Sequence, residues 1–151
     1  MNERMSNPFV NAEVNAPTQF QEYFRRYSQT TGASSVGEYD RKPFPRMVDF
    51  WFLAIAVAVK LGLKPVKLDG VDTYKAIEGA AIVSPEWRTH ALKLIAIGET
   101  QDPEVVKDPR RMMEIANGLA FAGMPRLIEI LEESPDDEMF GLSDALVKMI
   151  K

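Results

Sequence analysis

The chain has 151 residues, 46% of them hydrophobic and 26% charged, with a net charge of −4 and no cysteine. This length and balance predict one soluble globular domain with enough apolar material for its own core. The missing thiols exclude disulfides, thiolate metal sites and cysteine nucleophiles together, and fit a reducing cytoplasm.

Residues 1–16 are polar and Asn-rich, without an apolar period, and read as a flexible tail. They lack the apolar core of a secretory signal, so a cytoplasmic location is expected. Residues 17–28 read as an accessory amphipathic helix that Pro17 can open. Phe20, Tyr23, Phe24 and Tyr27 recur on one stripe of it, suited either to this domain's core or to a groove on a partner. Residues 29–43, with Gly32, Ser34, Ser35 and Gly37, read as a loop.

A helical core domain is expected over residues 44–151. Its centre is the apolar run Phe50 to Val59, closed by Lys60, Gly62 and Pro65. That run is too short to span a bilayer, which needs roughly 20 apolar residues. It is apolar on every side, as a fully buried helix would be. Val66 to Leu68 and Ala80 to Val83 read as two short strands, and Asp72 to Glu78 as a short helix between them. Ser84-Pro85-Glu86 has the form of a capped helix start, with Trp87, Ala91, Leu94 and Ile95 directed inward. Asp108-Pro109 opens another helix that carries Met112, Ile115, Ala116 and Leu119. Gly123 is expected to end it and Pro125 to begin the next, and Leu142, Leu146, Val147 and Ile150 mark a terminal helix. The expected fold is therefore mainly α: a compact single-domain helical bundle with a minor two-stranded β element. Its core should hold Trp51, Phe52, Ile55, Trp87, Leu94, Ile115 and Leu119.

Charge is unevenly spread. Arg41, Lys42, Arg46, Lys60, Lys64 and Lys67 face one acid, Asp49, which makes that segment +5 and leaves −9 for the rest. A basic face of this kind can contact a protein partner or DNA. Glu129, Glu132, Glu133, Asp136, Asp137 and Glu138 crowd a ten-residue stretch near the other end. His90, the only histidine, has no second ligand at helical spacing, and no phosphate-binding glycine loop or nucleophile elbow occurs. Asp69, Asp72 and Glu78, with Lys75, are the one set that a metal-dependent nuclease could use. No catalytic, cofactor or metal site is assigned on these grounds, and a homo-oligomer is left open.

Three stretches resemble the accessory proteins encoded with DNA phosphorothioation systems, the Dnd-system-associated protein 4 family. They are Phe44-Pro-Arg-Met-Val-Asp-Phe-Trp-Phe-Leu-Ala-Ile-Ala-Val-Ala58 with its following Gly62 and basic turn, then Trp87 to Glu99, then Met113-Glu-Ile-Ala-Asn-Gly118 running on to Pro125-Arg-Leu-Ile-Glu-Ile-Leu131. The resemblance covers somewhat more than half of the chain. It implies a non-enzymatic accessory or adaptor protein of a prokaryotic DNA-modification or anti-phage defence system, acting through a protein partner. It carries no catalytic residue across. A metal-dependent nuclease or a direct DNA-binding module is the alternative.

Overall fold

The computed structural model describes residues 7–29, 42–133 and 138–150. Two helices organise it. α2 (Met47–Leu61) and α5 (Pro109–Glu132) pack along each other and supply most of the core, including Trp51, Ile55, Ile115 and Leu119. Their close approach is written in glycine. A Cβ on Gly123 would collide with the Ala54 carbonyl of α2, so this position lets two backbones touch.

α5 runs unbroken through Pro125, where two helices were expected. Proline removes one backbone donor from a helix interior. The flanking apolar residues Phe121, Met124, Leu127, Ile128 and Leu131 all bury against the core and carry the helix past that defect. Its start is as expected: Asp108 Oδ1 accepts from the Arg111 N–H at 3.1 Å, with Pro109 in the first turn. α6 (Glu138–Ile150) then lies against α5.

α2 is less enclosed than its composition suggests. Phe52 and Leu53 are half-buried, and Ala56 and Val59 face outward.

The flexible-tail expectation is corrected for residues 7–16. Phe9, Val14 and Ala16 are fully buried, and β1 (Glu13–Pro17) pairs antiparallel with β2 (Thr73–Glu78), Glu13 opposite Glu78 and Pro17 opposite Thr73. This relocates the β element. Thr73–Glu78 is a strand where a helix was expected, and Val66 to Leu68 is irregular. Gly79–Val83 is a short helix, α3, where a strand was expected. An antiparallel pair needs a partner of matching register; here it lies in a segment whose polar residues mask three buried apolar ones.

α1 (Gln21–Tyr27) follows a 3-10 turn at Thr18–Phe20. Its aromatic stripe is part of the core and not a docking surface. Phe20 stacks on Phe121 at 5.7 Å, and Phe24 meets Phe50 edge-on at 5.1 Å. Tyr27 packs on Phe50 at 6.0 Å, with half-buried Tyr23 stacked on it. Most of the loop expected at 29–43 lies outside the described residues. Its two ends are joined, since the Gln29 N–H donates to the Phe44 carbonyl and the Phe44 N–H to that of Tyr27.

α4 (Trp87–Thr100) forms close to where its start signal stands, but without a side-chain cap from Ser84, and it is rotated from the expected orientation. Arg88, Thr89, Leu92 and Ala96 face inward, while Trp87 is 51% exposed and Leu94 69%. The buried Arg88 is anchored on that inner face through its two Nη atoms, while its Nε has no hydrogen-bond partner among the described residues. Arg88 Nη2 donates to Asp49 Oδ1 at 2.7 Å, and Nη1 to the Ser84 and Ala81 carbonyls at 2.9 and 3.3 Å.

Candidate functional site

Gly62, in the left-handed conformation at φ 68°, ends α2, and the Leu63 N–H donates back to the Ala58 carbonyl at 2.9 Å. The chain then docks on α5. The Val66 N–H donates to the Gly118 carbonyl at 3.0 Å, and a Cβ on Gly118 would lie 2.7 Å from Pro65 Cβ. Residues 62–66 are thus pinned at two points, on the end of α2 and on α5.

Lys60, Lys64 and Lys67 are exposed there and form no ion pair with a described residue, whereas Lys75, Lys107 and Lys148 each have a carboxylate partner. Among the three lysines stand Val59, Leu61, Val66 and Val71, each between 41% and 46% exposed. Beside them a cleft of about 480 Å³ opens between this segment, the sheet and α5, lined in part by Lys67, Asp69, Thr73, Arg111, Glu114 and Asn117. Arg111 is shared with Glu114 at 3.4 Å. Asn117 is oriented from below, its Oδ1 accepting from the Trp51 indole N–H at 3.0 Å. Cations, carboxylates, an oriented amide and aliphatic carbons make a surface suited to recognition by complementarity.

Of the six expected contact cations, the five described ones fall toward opposite ends of α2. Arg41 lies outside the described residues. Lys42 donates to the Arg25 carbonyl at 3.2 Å, beside α1. Arg46 precedes α2 and reaches the Ser84 carbonyl at 3.4 Å. At 1.5 Å per residue, α2 separates Arg46 from Lys60 by about 20 Å. Lys60, Lys64 and Lys67 remain, successive exposed cations of the segment that ends α2 and leads on toward β2. A helix interior lies between the two clusters, and adjacency in sequence could not reveal that.

Among the described residues no group of three or more His, Asp or Glu side chains is placed to hold a metal ion. Glu78 pairs with Lys75 at 3.0 Å, Asp69 opens on the cleft, and the Asp72 carbonyl accepts from the Thr18 N–H at 2.9 Å. Lys75 is held above its ordinary pKa by its hydrogen bond to Glu78, then by the charges of Glu78 and Glu13. Next to it, burial pushes the Tyr74 hydroxyl up to about 12, against a smaller opposing effect of Arg25. His90 is exposed, 3.7 Å from Glu86 of its own helix. No described helix is long and apolar enough to cross a membrane.

Sequence reasoning missed the solvent-facing stripe of α4. Its periodicity was legible in Trp87, Ala91 and Leu94, but periodicity does not say which face of a helix is covered. Comparison with family models, curated proteins and solved structures finds no match to this chain.

Proposed function

We propose that this protein is a non-enzymatic accessory or adaptor protein of a prokaryotic DNA-modification or anti-phage defence system, acting in the cytoplasm through a protein partner. The observation that carries the contact is the set of unpaired Lys60, Lys64 and Lys67 among exposed Val59, Leu61, Val66 and Val71. The defence context rests on the sequence resemblance alone.

The chemistry of the surface suits an acidic segment with apolar side chains. Unpaired lysines supply long-range attraction and register, and aliphatic carbons supply area removed from water. Phosphate recognition needs only the positioned cations. The four aliphatics therefore favour a protein over DNA as the occupant.

The test is capture from a native host with the wild-type chain and with Lys60→Glu, Lys64→Glu and Lys67→Glu combined, followed by duplex-DNA binding at two salt concentrations. The expected result is a specific protein captured by the wild type, lost in the triple variant, with no DNA binding by the isolated chain. DNA binding that weakens with salt and vanishes in the triple variant favours the DNA-binding reading instead. Unchanged capture by the triple variant rejects this surface.

A further inference from the structure

α4 is apolar on two opposite faces. Leu92 and Ala96 point into the core, while Trp87, Ala91, Leu94 and Gly98 recur at i, i+4, i+7 and i+11 along the outer side. Trp87 is not a loose side chain. Its ring meets Phe52 edge-on at 5.0 Å, and the Arg88 guanidinium sits 5.1 Å from its centroid. It is fixed in place and still half exposed, so its partly bare face costs little further ordering when covered.

Gly98 supplies the second observation. Five other glycines, Gly62, Gly70, Gly79, Gly118 and Gly123, have a reason within the chain. Gly62 and Gly70 adopt positive φ, and a Cβ on Gly79, Gly118 or Gly123 would strike a neighbouring atom. Gly98 lies inside a helix, where glycine is unfavourable, yet a Cβ there would meet nothing within 4 Å. Nothing among the described residues uses the space it leaves.

We infer that this stripe is the interface of a homodimer, in which α4 packs antiparallel on α4 of a second copy. The order of the stripe selects that occupant. A two-fold axis passing near Leu92 and Lys93 places Trp87 opposite the second copy's Gly98, and Ala91 opposite the second copy's Leu94. Each large side chain then faces a small one, and every contact is made twice, as an isologous interface requires. The notch at Gly98 has the position needed to receive the Trp87 indole. A parallel pairing would set tryptophan against tryptophan and glycine against glycine. One helix face buries well under the roughly 800 Å² per partner of a standard interface, so association in the micromolar range or weaker is expected.

The test is sedimentation equilibrium of the full chain over a roughly hundredfold range of concentration, since self-association is governed by mass action. The expected result is a mass that climbs from monomer toward dimer. Leu94→Glu and Gly98→Leu should each hold the monomer, with circular dichroism and melting temperature showing that the fold survives, because both positions are open to solvent. Tryptophan emission should shift to the blue with concentration in the wild type and not in Gly98→Leu, since Trp51 is already buried. A monomer at every concentration overturns the proposal and leaves the stripe to a different protein. So does a dimer that persists in both variants.

Discussion

The carboxylate of Asp49 ties Arg88 of α4 to the start of α2: Oδ1 accepts from the Arg88 guanidinium at 2.7 Å, and Oδ2 from the Arg46 N–H at 3.0 Å. Arg88 is 4% exposed, so its charge depends on this partner and on two carbonyls. Asp49→Ala leaves that charge buried without its counterion and is expected to cost about 3 kcal/mol. Adding Arg88→Met should restore part of the loss in urea unfolding. A double variant no better than the single one would show that the pairing is not what Asp49 contributes.

Trp51 and Asn117 make a second long-range tie. Trp51 is fully buried, so Trp51→Ala should lose roughly 3–5 kcal/mol and leave a chain prone to unfold or aggregate. Asn117→Ala keeps the packing but strands the indole N–H, for a loss of about 1–3 kcal/mol. Chemical denaturation of both variants checks the order of the two effects.

The same substitution at two glycines should act with opposite sign. Gly123→Ala drives a methyl into the Ala54 carbonyl and forces α2 from α5, at a cost of about 1–3 kcal/mol. In the monomer Gly98→Ala meets open space and improves the helix by roughly 0.5–1 kcal/mol, so both are compared at a dilution where the chain is monomeric. Melting temperatures that moved in the same direction would contradict this account of the helix contact.

Alkaline stability should be limited by the sheet. The Tyr74 hydroxyl is buried, with its pKa pushed up to about 12, so the folded state holds that proton more tightly than the unfolded chain does. The effect is absent below the ordinary tyrosine value near 10 and destabilises as pH rises from there toward 12. Lys75, also raised, loses its contribution over the same climb, once it deprotonates beside Glu78. Tyr74→Phe should move the alkaline unfolding midpoint upward and remove a phenolate that titrates toward pH 12 from the absorbance titration.

Reversing Lys60, Lys64 and Lys67 to Glu should change folding stability by less than about 0.5 kcal/mol, because the three are exposed and unpaired. Partner capture is the property expected to disappear. A large stability loss would mean that these side chains serve the fold.

Legibility followed the range of the interaction that decides each element. Local signals were sufficient at Asp108-Pro109, at Gly62, and along the apolar run of α2, where caps and periodicity lie within a few residues. Long-range ones were hidden. Thr73–Glu78 becomes a strand because Glu13–Pro17 lies beside it, and the inner face of α4 includes Arg88, which pairs with the distant Asp49, leaving Trp87 on the outer side. Of the contact site, the lysines could be read individually. Which of them share a surface depends on α2 as a spacer and on Gly118 receiving Pro65 and Val66.

The pairing of β1 with β2 has a consequence in time. Asn7 donates its amide to the Thr89 hydroxyl across 82 positions, and Thr18 to the Asp72 carbonyl across 54. On a chain synthesised from its amino end, these early residues are made first but find their places late, after β2 and the start of α4 have emerged. Contacts of such separation are slow to close, because loop entropy must be met before they return any stabilisation. Until then Phe9, Val14 and Ala16 have no interior to enter. The segment that holds β1 is thus a late-fastening clasp on a core that the residues after it must build.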